Sequence, residues 1–348
     1  MTKTIKTLLS AAALILTTFT FATGANAAST KKASVSTIQR RTALTYSYAK
    51  KMIKTNKTGL SGNASSIFSK KLYPESGASA GYSDFLLGLK GNGYKFTTNE
   101  KNLLRKNLVV RGNSPAATLA NAVMAVQAMG LNAQNYKPYG QKRGINLVSR
   151  LYKTSITNQT ASAQSQALIA ISMSNKFKQP KGAKFSKASL SNRLVKVQLN
   201  NNGWTYNNRQ GTKDADTTAM ALTALSRSKS SASNIKTSIQ KGQQFLFDIV
   251  QKNGTFGYTF NGKTTPNANS TAEAIIALSN DSATKKYVNS SAMKASQTAT
   301  PLYAMLTYVN NTGSIKKAAT QLYGVGQVNL AIAAYKAALK NRSVYTIN

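Results

Sequence analysis

The sequence predicts an all-α protein assembled from repeated helical hairpins. Three observations carry this expectation. Apolar residues recur at helical spacing in one segment after another. A short run of small residues, opened by Pro, Thr, Ser or Asp, returns along the chain. Stretches with the two-residue alternation of a strand are sparse.

Residues 35–54 place Val35, Ile38, Ala43, Leu44, Tyr48, Met52 and Ile53 on helical spacing. Residues 55–80, rich in Gly, Ser and Asn, read as a long connection. Ser83-Asp84 precedes Phe85-Leu86-Leu87-Gly88-Leu89, so Asp84 is expected near the start of a helix that ends at Gly91-Asn92-Gly93. A further helix is predicted over 99–110. The small-residue helices then follow. Ser114-Pro115 leads into 116–130, Thr160 into 161–173, Asp216-Thr217-Thr218 into 219–225, and Asn269-Ser270-Thr271 into 272–278. Pro301 opens a run through 309, and 325–340 closes the series. Alanine lets helices approach closely and costs little side-chain entropy. More mixed helices are expected between them, at 144–152, 187–199 and 235–251.

Two of the mixed helices end in similar turns, Gln198-Leu199-Asn200-Asn201-Asn202-Gly203-Trp204 and Gln251-Lys252-Asn253-Gly254-Thr255-Phe256. Leu89-Lys90-Gly91-Asn92-Gly93-Tyr94 is a weaker third copy. Each offers Asn or Gly for positive φ and an aromatic that folds back over the helix end. A small hairpin is expected over 255–264, around Asn261-Gly262. The small-residue helices start near 116, 160, 217 and 271, at intervals of roughly 44, 57 and 54 residues. One hairpin plus a loop fills each interval. An open solenoid and a closed ring both satisfy these spacings. In a closed ring the small-residue helices line the inside, and their N-termini gather at one end that attracts anions.

Charge is the most unusual property. The chain holds 46 Lys and Arg against 8 Asp and Glu, a net +38. Lys3 and Lys6, the apolar run 8–22 and Ala25-Asn26-Ala27 read as a signal peptide over residues 1–27. The competing reading, a retained membrane anchor, meets a run that is short for a bilayer. Cleavage leaves +36, a lead over 28–34, one domain over 35–342 and a tail over 343–348; no stretch of the mature chain is apolar enough to span a membrane. The bases are spread evenly, 23 in residues 28–180 and 21 in 181–348, so the whole surface is basic. It should attract polyanions: teichoic acid or other anionic wall polymers, anionic polysaccharide or lipid, or nucleic acid. Zinc-finger spacing, a basic region running into heptads and an RNP-type strand are all missing, which leaves non-specific nucleic-acid adsorption only. Cys and His are absent. That rules out disulfides, so a large core must hold the fold, and it removes the usual zinc ligands. No metal or other cofactor is expected. Like-charge repulsion favours a monomer.

At Ser83-Asp84, the 198–204 turn, Asp214-Ala215-Asp216-Thr217-Thr218-Ala219, Phe256-Gly257-Tyr258 and Asn269-Ser270-Thr271-Ala272-Glu273-Ala274, the chain resembles the terpene-cyclase and prenyltransferase-like α/α toroid proteins. The resemblance is to the secreted bacterial group, of Gram-positive surfaces, and covers roughly residues 80–335. It implies a double ring of helical hairpins. Class II cyclases of this fold carry Asp-x-Asp-Asp, whose middle acid protonates an alkene or epoxide. Asp214-Ala215-Asp216-Thr217 keeps the first two acids, and Asp216 falls on the proton donor. The third acid is missing, and Trp204 is the only Trp where cyclase cavities are rich in aromatics. Protein prenyltransferases need zinc held by Asp, Cys and His, so that activity is excluded here. Cobalamin carriers of similar fold bind their ligand against a second, β-rich domain, and no such domain is evident.

Each candidate residue has a structural and a functional reading. Asp216 is an N-cap or a general acid whose pKa Asp214 raises. Asp214 pairs with a lysine or shares that acid's site. Asp84 caps its helix or binds ligand, and Glu273 compensates a helix dipole in the first turn or faces inward. Trp204 and Tyr206 cover a helix end or offer a platform to a sugar, and Tyr258 with Phe256 takes the same place in the next repeat. The leading expectation is a non-catalytic, secreted, wall-associated protein held by its charge, with adhesion to host or bacterial glycans. The alternatives are a degenerate enzyme acting on a polysaccharide or an isoprenoid, and a carrier of a small ligand in the barrel mouth.

Overall fold

Helices form where a capping side chain precedes a run of small and apolar residues. The computed structural model describes residues 30–56, 80–108, 110–208 and 212–346. The expected signal peptide with its cleavage site, most of the connection over 55–80 and the last two residues lie outside them. Six helices are buried on most faces: α2 (Ala80–Gly91), α4 (Ala116–Ala128), α6 (Ala161–Ile171), α8 (Ala215–Ser228), α10 (Ala268–Ser279) and α13 (Gln321–Ala338). Four of them start behind a side chain that accepts a backbone N–H of the first turn. Thr160 accepts from Ala163, Asp214 from Thr217, Asn267 from Ser270 and Thr320 from Tyr323. Each such cap contributes about 1 kcal/mol.

These six helices contact one another in order, and α13 returns to α2, so the contacts form a closed cycle. The remaining helices flank it: α1 (Val35–Asn56), α3 (Thr98–Asn107), α5 (Leu147–Lys153), α7 (Lys187–Lys196), α9 (Ser233–Ile249), α11 (Lys286–Asn289) and α12 (Pro301–Leu306). α1 packs on α13 and α2, α5 on α4, α7 on α6 and α8, α9 on α8, and α12 on α10. α3, α5, α7, α9 and the α11–α12 pair each fall between two cycle helices in the sequence, and successive cycle helices meet start to start, Ser83 with Asn121, Ser162 with Met220 and Asp216 with Ser270, so they run parallel. The lead is clipped to the far end of the sequence: Lys31 N–H donates to Thr298 O at 2.9 Å, and Thr300 N–H to Lys31 O at 2.9 Å.

Closure is tightest where α2 meets α13. A Cβ on Gly88 would stand 2.8 Å from Leu330 N and 3.0 Å from Gly326 O, both backbone atoms. Asn92 Nδ2 ties the same seam, donating to Gly88 O and Asn329 O at 2.9 Å each.

The two predicted turns share one bond. Leu199 N–H donates to Gly203 O and Gln251 N–H to Thr255 O, both at 2.9 Å, around Asn202 (φ 70°) and Gly254 (φ 81°). The weaker third copy has its positive φ at Gly93 (94°) as expected but not the shared bond. Leu89–Tyr94 closes α2 with a Schellman pattern, in which Tyr94 N–H donates to Leu89 O at 3.0 Å and Gly93 N–H to Lys90 O at 2.9 Å. The same turn returns instead at Asn310, whose N–H donates to Ser314 O at 2.8 Å around Gly313 (φ 89°). The hairpin forms as expected: β1 (Phe256–Phe260) pairs antiparallel with β2 (Lys263–Asn267) through Asn261 (φ 47°) and Gly262 (φ 74°). α8 and α10 begin four residues earlier than predicted, because Asp214 and Asn267, not Asp216 and the 269–271 triplet, cap them. α11 was not anticipated.

Gly88→Ala should lower unfolding stability in urea by about 1–3 kcal/mol, because the methyl has only backbone to displace. Gly112→Ala, where an added Cβ meets nothing within 4 Å, should stay within about 0.5 kcal/mol.

Candidate functional site: an acid cluster among the cycle helices

The site begins at the start of α8. Asp214 Oδ1 accepts the Thr217 N–H at 2.8 Å, while Oδ2 accepts Thr217 Oγ1 at 2.7 Å and the Tyr206 N–H at 3.0 Å. Four residues into the helix, Thr218 Oγ1 accepts the Trp204 N–H at 2.9 Å and donates to Trp204 O at 3.1 Å. Thr271 accepts the Phe256 N–H at 3.0 Å one repeat later. This clasp corrects the reading of Trp204 as a sugar platform. The indole is fully buried, donates Nε1–H to Leu194 O at 2.8 Å and lies against Gly242, leaving no ring face for a ligand. Tyr206 and Tyr258 do face solvent, at 64% and 54% exposure. Both border Asp214, Tyr206 through its N–H and Tyr258 through a backbone bridge.

One position recurs around the cycle. The second residues of α4, α6, α8 and α10 are Ala117, Ser162, Asp216 and Asn269, and each keeps some accessible surface among buried neighbours. Asp84 does the same in α2. These residues occupy corresponding places around the cycle.

Three of the predicted acids meet among these helices. Asp216 accepts Ser270 Oγ at 3.0 Å. Glu273 accepts Gln327 Nε2 at 2.8 Å, Asp84 is hydrogen-bonded by the same glutamine, and Asn269 donates to Gln327 Oε1. Burial pushes the Asp84 carboxyl up to about 7. Asp216 is also pushed up to about 7, first by burial and then by the Asp214 charge. Burial, then Asp84 and Asp216, hold Glu273 well above the usual carboxylate range. Lys and Arg do not figure among the groups that shift any of the three. The tail closes the other side: Tyr345 is buried, and its phenol is held high by burial and then by Asp84 and Glu273.

Three expectations change accordingly. Asp84 is the fifth residue of α2 rather than its cap, and Glu273 is the sixth of α10 rather than a first-turn residue. Asp214, not Asp216, caps α8, and it bonds backbone and Thr217 rather than a lysine. The N-terminal end of the cycle carries carboxyl groups, so it does not invite anions. Near neutral pH a half-protonated carboxyl both donates and accepts, which suits a hydroxylated ligand or a proton transfer. Among the described residues no group of three His, Cys, Asp or Glu is placed to hold a metal ion.

Sequence reasoning placed Asn269 and Ser270 in a motif without giving them a role, and it missed Gln327. Superposing the caps Asp214 and Asn267 sets Asp216 on Asn269, a signal that was available. Gln327 had none, since its partners lie far away in sequence. The chain matches no protein-family model and no curated protein.

The chain has no His, so carboxyl groups dominate titration between pH 4 and 8. Asp216 keeps its proton in the folded state from 3.8 up to about 7, where the unfolded chain has released it. The folded state therefore binds more protons in that window, and stability falls as pH rises through it. Thermal unfolding should occur at a higher temperature at pH 5 than at pH 7.5. Asp216→Asn should raise the pH 7.5 value and flatten the slope.

Proposed function

We propose that this is a secreted, non-catalytic α/α toroid protein of the terpene-cyclase and prenyltransferase-like kind, retained on teichoic acid or another anionic wall polymer by its basic exterior. The toroid reading is supported by the closed order of contacts from α2 to α13 and back, with flanking helices outside. One observation carries the retention reading. None of the Lys or Arg side chains among the described residues is buried, whereas Glu100, Asp214 and Glu273 are. The positive charge thus reaches solvent over the whole molecule. A single exposed contact is worth about 0–1 kcal/mol, but many together hold a polyanion in a salt-sensitive way. The exposed rings of Tyr206 and Tyr258 support an added contact to host or bacterial glycans. Among the described residues no helix is long and apolar enough to cross a membrane.

A second reading rests on Asp216. Its carboxyl is pushed up to about 7, as a general acid acting on a polysaccharide or an isoprenoid requires. Asp216→Asn abolishes turnover of any substrate under the acid reading and leaves wall retention unchanged under both.

The mature protein should bind cell walls or immobilised poly(glycerol phosphate) at low ionic strength and elute in concentrated NaCl or LiCl. Failure to bind at low salt, or full retention through the wash, overturns the retention reading.

A further inference from the structure

One cycle helix is electrically polarised along its length. α8 begins with Asp214 and Asp216 and ends with Arg227 and Lys229. Asp84 and Glu273 are the fifth and sixth of twelve residues in α2 and α10, and Asp281 and then Lys285 follow the end of α10. At the C-terminal ends the bases gather around two adjoining cavities. One, of about 380 Å³, lies between the ends of α6 and α8 and is lined by Lys176, Lys187, Arg227 and Lys229. The other, of about 530 Å³, lies between the ends of α8, α10 and α13; Arg227 and Lys229 line it too, with Lys285 and Arg342. Neither cavity has an acid in its lining, and the other polar groups are mostly serine hydroxyls and asparagine amides. Arg227 stands at the junction. One of its terminal nitrogens donates to Ser172 O at 2.9 Å, while its Nε has no partner. The crowding registers on Lys187, which burial and then Arg227, Lys178 and Lys229 push below the usual lysine range.

From this juxtaposition we infer that the two cavities form one anion-binding groove, which takes consecutive phosphates of a phosphodiester polymer. Helix C-termini alone ask for one or two bases each, as compensation for the dipole. Six bases around two connected hollows, with hydroxyl donors and no acid, exceed that need and suit tetrahedral oxyanions. The groove gives the retention reading, on which this inference rests, a direction. The face of helix C-termini meets the polymer, and the end that carries Asp214, Tyr206 and Tyr258 points away from it.

The test uses the mature full-length chain and immobilised poly(glycerol phosphate). A groove variant, Lys176→Gln, Lys187→Gln, Lys229→Asn and Arg342→Gln, is compared with a variant of equal charge outside both cavities, Lys95→Gln, Lys137→Gln, Lys142→Gln and Arg143→Gln. Asparagine is chosen at Lys229 because its backbone is left-handed (φ 54°). The groove variant should bind about tenfold more weakly or worse, with a shallower salt dependence, against about threefold or less for the control. Equal losses overturn the groove and leave retention by the whole surface standing, whereas no binding by the unaltered chain overturns retention itself. If the groove variant fails to fold, the exposed pair Lys176→Glu and Arg342→Glu replaces it. That pair must lose more affinity than Lys142→Glu with Arg143→Glu, and equal losses again overturn the groove.

Discussion

The approach of α2 to α13 through Gly88 and Gly326 is the constraint on which the rest of the architecture rests. The other neighbouring pairs in the cycle are built from consecutive parts of the chain and owe their proximity partly to short connections. α2 and α13 are separated by most of the sequence. Only complementary surfaces bring them together, and the backbone contact at Gly88 sets how closely the cycle draws in. That spacing in turn decides whether Gln327 on α13 reaches both Asp84 on α2 and Glu273 on α10. The acid cluster therefore depends on a packing detail four residues from Asp84 and next to Gln327.

A second theme is the segregation of charge. A chain with so few acids puts three of them inside, where no lysine or arginine shifts them, and keeps its bases at the surface. Burying a carboxyl in this way costs free energy unless it stays protonated, and raised affinity for the proton is the natural response. Ser270 and Gln327 supply hydrogen bonds but do not neutralise charge. An arrangement unfavourable to stability at neutral pH persists in a core that is otherwise mostly apolar. This contrast sets the acid cluster apart from ordinary core packing.

Helix periodicity made most of the fold legible. The hairpin at Asn261-Gly262 was readable because two left-handed positions in a row restrict the residue choice so strongly. The helix starts were misplaced by one turn at α8 and α10, since Asp, Asn, Ser and Thr lie side by side there and any of them caps well. That small error governed the site: moving the cap from Asp216 to Asp214 turns Asp216 from a backbone ligand into a member of the acid cluster, bonded by Ser270. Of the two readings of Trp204, the cover over the preceding helix end holds and the sugar platform does not. A lone tryptophan in a turn looks available, and only the clasp with Thr218 and the space beside Gly242 reveal it as core. Gln327 was silent because nothing local distinguishes it from any other helical glutamine.

The clip between the lead at Lys31 and the strand-like segment at 298–300 joins the first described residues to a point near the end of the sequence. A chain whose ends must find each other this way cannot gain or shed a hairpin as an open repeat array can. Removing one unit would leave a gap that no neighbour fills, so copy number is frozen by geometry. The pairing of α2 with α13 also cannot form until α13 has been synthesised.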